Sequence, residues 1–218
     1  MVYAHTLVII KHVMFVDVMC LQRLKPQGQN VQKINGKIIM KKVAIVVGHT
    51  KLRPGAKGID IPSEYVYNSK VAEYLSDVCD IYHYGSYNLG YKAMVKANAE
   101  KMNAKNYDLV IELHYNSFSK ESANGCEVLY YYKNVKGKNL AAKLSSAISK
   151  GFCSKNRGAK SLSSGKERGY WALYYPEATA LLIEPFFGSN TEDADKFRDK
   201  EEVYAKRIRN FLIKQNII

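Results

Sequence analysis

The stretch Asp108-Leu109-Val110-Ile111-Glu112-Leu113-His114-Tyr115-Asn116-Ser117 constrains the chain more than any other. A short apolar run bounded by polar residues is the pattern of a buried strand. In open α/β sheets the carboxyl ends of such strands face the crevice where ligands collect. Here the group delivered to that end is an imidazole, His114. An earlier run, Lys42-Val43-Ala44-Ile45-Val46-Val47-Gly48-His49-Thr50, repeats the arrangement and stops at His49. Two apolar strands that each end in histidine predict a floor for a metal ion.

At 218 residues the chain suffices for one domain with a substantial core. A hydrophobic content of 47% with 17 tyrosines argues against a disordered protein. The formal charge of +13 implies attraction to a polyanion. Nucleic acid, an anionic membrane and a wall polymer rich in phosphate and carboxylate all qualify, and charge does not choose among them. Most lysines are scattered among helical segments, as on a solvated face. Cys20, Cys79, Cys126 and Cys153 form no Cys-x-x-Cys pair. Neither a disulfide framework nor a zinc ribbon is indicated, and reduced, mostly buried thiols in a protein made in the cytosol fit better.

Residues 1–39 differ from the rest of the chain. Thr6 to Cys20 is apolar but interrupted by Lys11, His12 and Asp17, which makes it too short and too broken to span a membrane. It lacks the basic start and small-residue cleavage site of a secretory signal. Val18 and Met19 stand where a lipoprotein signal needs a small residue. Lys25-Pro26-Gln27-Gly28-Gln29-Asn30 reads as linker. Met40-Lys41-Lys42-Val43 then looks like a second beginning. The expectation is a poorly ordered or dispensable extension over 1–39 and a catalytic domain over 40–218; a weak membrane-contact helix is the competing reading of the extension.

Within the domain, Lys51-Leu52-Arg53-Pro54-Gly55-Ala56-Lys57-Gly58 is expected to be a flexible basic loop, without the glycine spacing of a phosphate cradle. Ser63 is a candidate N-cap with Glu64 in the first turn, and Val66, Val71, Ala72 and Leu75 recur at helical spacing. Val78–Tyr84 reads as a strand ending near a surface histidine, His83. A turn follows at Gly85–Asn88, then a helix from about Leu89 to Ala104. Strand, helix, strand, helix, strand predicts an α/β sheet with parallel crossovers. Gly125–Tyr132 is a fourth strand and Gly137–Lys150 a helix. Arg157–Gly169 reads as a long polar loop at the mouth of the site, Tyr170–Tyr174 as a short strand, Ala178–Ile183 as the last strand, and Glu201–Ile213 as an amphipathic helix.

Catalytic zinc usually keeps three protein ligands and an open position, and a His/His/Glu set suits it. His49, His114 and Glu64 are candidates to meet at one ion. Singly, a strand-ending histidine is a polar terminator and a first-turn Glu answers the helix dipole; the joint placement favours the metal. Glu184 follows the last apolar strand. Desolvation there would raise its pKa toward the range of a general base, which could take a proton and later return it to a leaving nitrogen.

Val47-Gly48-His49, Glu64-x-x-x-Asn68 with Val71-Ala72, Leu113-His114-x-Asn116-Ser117 and Leu182-Ile183-Glu184-Pro185-Phe186-Phe187-Gly188-Ser189-Asn190 occur in that order. Together, over about residues 42–215, they resemble the zinc-dependent N-acetylmuramoyl-L-alanine amidases of the amidase-3 type. The resemblance implies hydrolysis of the amide between the lactyl group of N-acetylmuramic acid and L-alanine of the stem peptide. It implies one Zn2+ held by His49, Glu64 and His114, with Glu184 as catalytic acid/base. It also implies a mostly parallel or mixed sheet of about six strands flanked by helices in a single domain, a zinc-exopeptidase-like amidase fold.

The chain departs from the pattern in three places. Val46 stands where many members carry Asp, and Glu112 where a Ser is common. Glu112 shares a strand face with His114, so it either orients a ligating imidazole or competes with Glu64 for the ion. Pro185-Phe186 replaces small residues, which would reshape the cleft. Asn116, Arg168, Tyr170 and Trp171 are candidates for substrate contacts.

The expected partner is peptidoglycan, of a Gram-positive wall, rather than nucleic acid, and no stable membrane insertion is expected. With neither signal peptide nor wall-binding repeat recognisable, the chain resembles a phage endolysin that acts at the wall after release. A bacterial autolysin or spore amidase, a zinc carboxypeptidase, and a non-catalytic wall or nucleic-acid binder are the competing readings.

Overall fold

The computed structural model describes residues 33–34, 37–38, 43–85 and 90–218. The chain divides into a unit Met1–Ile39 and a unit Met40–Ile218. In the first, the strands Lys33–Ile34 and Lys37–Ile38 pair antiparallel. The expectations for Thr6–Cys20, for Lys25–Asn30, for a start at Met40 and, beyond Gly85, for the turn at Gly85–Asn88 lie outside the described residues.

The second unit is built on six strands: β1 (Val43–Val47), β2 (Asp80–His83), β3 (Leu109–Leu113), β4 (Cys126–Tyr131), β5 (Asn156–Leu162) and β6 (Thr179–Glu184). Their order across the sheet is β2-β1-β3-β6-β4-β5. The first four positions run parallel; β4 is antiparallel to β6, and β5 is parallel to β4. Among the described residues six helices accompany them: α1 (Glu64–Glu73), α2 (Tyr91–Asn103), α3 (Val135–Phe152), α4 (Tyr170–Tyr174), α5 (Thr191–Phe197) and α6 (Glu201–Lys214). This is the mixed α/β sheet expected.

All five residues of β1 and all five of β3 are buried. That explains their near-continuous apolar sequences, because a strand covered by helices on both sides has no solvent face to make polar. On one side Ile45, Ile111 and Ile183 join Tyr67, Leu144, Phe197 and Ile208 from α1, α3, α5 and α6. On the other, Ala44, Val110 and Leu182 pack with Val95 and Ala99 of α2 and Leu173 of α4. Local signals set the helix ends: the Asn134 side chain accepts from Gly137 N at 2.7 Å to open α3, and Cys153 in a left-handed conformation closes it.

Several expectations are corrected. Asn156–Leu162 is a strand, not part of a loop. It is the sheet edge, pairing only with β4, so its polar sequence Asn-Arg-Gly-Ala-Lys-Ser-Leu carries no alternating apolar face. Tyr170–Tyr174 is a helix rather than a strand. Gly169, at φ +83°, turns the chain into it, and the Tyr175 N–H donates to the Trp171 carbonyl to close its turn. The aromatic content that favours strands in isolation is here spent on packing against the sheet. Ser63 precedes α1 but makes no capping bond with its side chain. Val66, expected at the packed face, is exposed, and Tyr67 and Asn68 are buried instead.

Candidate active site

The carboxyl ends of β1, β3 and β6 lie side by side. Val47 pairs with Leu113, and Leu113 with Ile183, so His114 and Glu184 follow adjacent partners on neighbouring strands. Such strands are about 4.8 Å apart. His49 follows Gly48 with φ +66°, an uncommon conformation for a non-glycine residue and a form of strain that clusters at functional sites. Gly48 leaves the necessary room: a Cβ there would lie 2.5 Å from Cε1 of His114.

Glu64 opens α1 and is brought under the imidazoles by the loop before it. That loop, expected to be flexible, is tied down. Glu64 N donates to the Ala56 carbonyl at 3.0 Å and Tyr65 N to the Pro54 carbonyl at 2.9 Å. The Tyr115 hydroxyl bonds the carbonyls of Ala56 and Pro62. Residues Lys57–Gly58 and Ile61–Ser63 close it as a small antiparallel ribbon.

The side chains of His49, Glu64 and His114 each offer one ligand atom, and these atoms lie within 4.8 Å of one another. Oε2 of Glu64 is 3.1 Å from Nε2 of His49 and 3.1 Å from Nδ1 of His114. The two rings meet edge to face with centroids 4.9 Å apart. Its other oxygen accepts from the Ala56 N–H at 2.9 Å. Two imidazole nitrogens and a carboxylate oxygen turned toward one point are a donor set that can hold a metal ion. Glu112 takes the opposite side of His114: its Oε1 is 2.9 Å from Nε2, while Oε2 accepts from the Tyr84 hydroxyl at 2.7 Å. Glu112 thus stands away from the nitrogen that faces Glu64.

The carboxyl groups of the cleft differ sharply. Burial alone would raise Glu64, but the hydrogen bonds with His114 and His49 override it and hold its pKa at about 2. Burial would lower His114, yet Glu112 and Glu64 hydrogen-bond to it and push it well above its ordinary value. Glu184 is raised to about 8, first by burial; the pull of His114 is outweighed by that burial together with the charges of Glu64, Glu127 and Glu112. Its Oε2 is buried without a hydrogen-bond partner among the described residues.

The remaining predicted residues are dispersed. Asn116 donates through Nδ2 to Glu127 Oε1 at 2.9 Å, beside the site. Arg168 is exposed in the turn before α4. Tyr170 is buried against Tyr131 and Tyr174, and Trp171 stacks on Tyr175 with the Lys92 ammonium 4.1 Å from its ring centroid. Phe186, expected to reshape the cleft, is fully buried and stacks between Tyr115 and Phe197 in the core. His83 is exposed at the end of β2, as expected. Two neighbours of the site are absent from the predicted residues: Glu127, opposite Glu184 across β4 and β6, and Arg157, which donates to Glu127 at 2.7 Å. The signal for Glu127 was a charge inside the apolar run Cys126–Tyr131; for Arg157 it was no more than its place at the start of the polar stretch expected at the mouth of the site.

At its strand ends the α/β sheet gathers a His–Glu–His group that could hold a metal ion and a carboxyl of raised pKa. Residues 43–214 match the Amidase_3 family, described as N-acetylmuramoyl-L-alanine amidase, and the chain belongs to that family. It is similar to YqiI of Bacillus subtilis (strain 168), an uncharacterized protein, at 26% identity over 186 residues, 82% of this chain and 83% of that one. It also resembles the N-acetylmuramoyl-L-alanine amidase LytC of the same organism, at 26% identity over 46% of this chain and 19% of LytC. Among solved structures it is similar to the catalytic domain of the CD27L endolysin targeting Clostridia difficile. That match has a TM-score of 0.66 and 30% identity, over 80% of this chain and 97% of that one. The chain is accordingly a peptidoglycan amidase. No helix among the described residues is long and apolar enough to cross a membrane.

Proposed function

We propose that the chain is a zinc-dependent N-acetylmuramoyl-L-alanine amidase that cleaves the amide between the lactyl group of N-acetylmuramic acid and L-alanine of the stem peptide. The observation that carries the reading is the meeting of His49, Glu64 and His114 next to Glu184, whose Oε2 has no partner and whose pKa is about 8. His49, Glu64 and His114 would hold the ion, and the donor set and spacing fit it. Zinc, when bound there, polarises an amide carbonyl and makes water acidic enough to react near neutral pH.

The chain's own groups do the rest. Glu112 accepts the Nε2 proton of His114 and so leaves the Nδ1 lone pair directed at the site. Tyr84 holds Glu112 in turn. Glu184 takes the proton of the attacking water through its unpartnered oxygen and hands it to the departing L-alanine nitrogen. A carboxyl with a pKa near the working pH serves both steps.

Clearance of purified wall suspensions is the test, run with and without a chelator, then with zinc restored, and with Glu184→Ala alongside. Expected are loss on chelation, recovery with zinc, no clearance by the variant, and new L-alanine amino groups without released single amino acids. Full clearance by Glu184→Ala, or release of free amino acids instead, overturns the reading.

The biological role we favour is that of a phage endolysin, made in the cytosol and acting on a Gram-positive wall after release, with residues 40–218 as the catalytic unit. The 30% identity to an endolysin catalytic domain supports it, and a charge of +13 suits an anionic wall. The likeness to LytC favours a second reading, a bacterial autolysin. Expression in a Gram-positive host separates them: an endolysin lyses cells only when a membrane pore is opened, an exported autolysin without one. Deletion of residues 1–39 is expected to leave clearance intact, and an inactive product would refute the assignment of the unit.

A further inference from the structure

We propose that Arg157 is a specificity-determining residue that binds a free carboxylate on the stem peptide, two to three residues from the bond cleaved beside Glu184; this rests on the amidase reading above.

Arg157 owes its position to an irregularity in the sheet. Cys126 pairs with Asn156 and Glu127 with Gly158, so Arg157 is an extra residue with no partner on β4. An inserted residue of this kind re-aims its side chain. Here it is aimed at Glu127, the direct partner of Glu184 across β4 and β6. Nε of Arg157 donates to Oε2 of Glu127 at 2.7 Å. The other oxygen of Glu127 is taken by Asn116. Beneath the guanidinium lies the ring of Phe187, its centroid 4.9 Å from Cζ.

Glu127 and Phe187 therefore fix the fork from one edge and one face. Of the terminal nitrogens, Nη1 makes a single long contact, 3.5 Å, to the Asn124 carbonyl. Nη2 makes none among the described residues, and the side chain is 31% exposed. A planar fork held at Nε with its terminal N–H groups open is the geometry that recognises a carboxylate through paired hydrogen bonds.

The reach follows from the register. Facing residues of an antiparallel pair have Cβ atoms about 5 Å apart, which puts the open edge of the guanidinium on the order of 10 Å from the Glu184 carboxyl. An extended peptide advances about 3.4 Å per residue. A substrate whose amide lies at Glu184 would thus bring its second or third stem residue to Arg157. A free carboxylate there is bound more tightly than a carboxamide, which has lost both the charge and one acceptor.

The experiment compares two muropeptides that differ only in carrying a carboxylate or a carboxamide on the second stem residue. Both are given to zinc-loaded full-length wild type, Arg157→Gln and Arg157→Lys. Wild type is expected to favour the carboxylate form about tenfold in kcat/KM, mainly through KM, and Arg157→Gln to bring the ratio near one. A structural effect, including any on Glu127 or Glu184, slows both substrates alike and leaves the ratio unchanged. Binding to Glu184→Gln protein should show the same preference, lost in Glu184→Gln/Arg157→Gln. If Arg157→Gln fails to melt cooperatively, Arg157→Lys decides, and must cut the ratio at least threefold. A ratio near one in wild type, or an unchanged ratio in the variant, overturns the proposal while leaving the amidase reading intact. Hydrolysis of neither muropeptide by wild type overturns the amidase reading and this inference with it.

Discussion

Glu64 and Glu184 carry the same side chain into two corners of one cleft, and the protein treats them oppositely. In the Glu64 corner one carboxylate oxygen faces two imidazole nitrogens and the other accepts a backbone N–H, and the pKa sits at about 2. In the Glu184 corner one oxygen has no partner, three further carboxylates stand near, and the pKa rises to about 8. Both groups are sheltered from water, so burial is common to them; hydrogen-bond donors and neighbouring charge decide the outcome. On the proposed reading, one corner stays ionised under a cation and the other exchanges a proton.

The largest effect that would break this contrast is at Glu184. Replacing it by Gln keeps the shape and removes the proton carrier. Hydrolysis should fall by roughly three orders of magnitude, with zinc stoichiometry by equilibrium dialysis unchanged. Residual turnover within tenfold of wild type would deny the corner its role. At the opposite corner, Glu112→Gln removes the charge behind His114. Zinc affinity, measured by chelator competition, should weaken by about 10- to 100-fold; an unaltered affinity would mean that Nδ1 needs no such support.

The pH dependence sharpens the comparison in the metal-free protein. Glu64 is depressed, so its contribution to stability is complete above the ordinary value of 4.5 and is lost as pH falls through about 2. Glu184 is raised, so its contribution is complete below 4.5 and is lost as pH rises through about 8. His114, also raised, contributes fully below 6.5 and loses that as pH rises through its folded value. The Tm in chelator should therefore decline between pH 5 and pH 9. Glu184→Gln should flatten that decline in part, leaving the share of His114; an identical profile in the variant would contradict the raised carboxyl.

The smallest expected change is at Tyr84→Phe. It deletes the hydroxyl that bonds Glu112 and leaves one buried oxygen unpaired, a cost of about 1–3 kcal/mol. Thermal unfolding should register that loss, with zinc affinity reduced only a few-fold. A larger fall in affinity than Glu112→Gln produces would place the control of His114 on Tyr84 instead.

The strands that deliver the site could be read directly from residue order. β1, β3 and β6 are almost wholly apolar because both faces are covered, and the polar residues His49, His114 and Glu184 come at or just beyond their ends, where the chain emerges at the crevice. β5 could not be read that way, since an edge strand pairs on one side only and needs no apolar face. The helix Tyr170–Tyr174 was equally hidden, being one short turn whose aromatic composition suits a strand as well. Glu112 left two readings open in sequence; the cleft places it behind His114, because alternation sets its face and only packing brings Tyr84 to its other oxygen.

Residue order alone thus determined the α/β class, the histidines at two strand ends and the carboxyl after a third, because burial on both faces writes itself into local hydrophobicity. Tertiary structure alone decided that β4 runs against β6. That reversal puts Glu127 opposite Glu184, and the slip in the β4–β5 pairing brings Arg157 beside it. Register between distant strands is settled by packing and hydrogen bonding across the whole sheet, and no short window of sequence contains it.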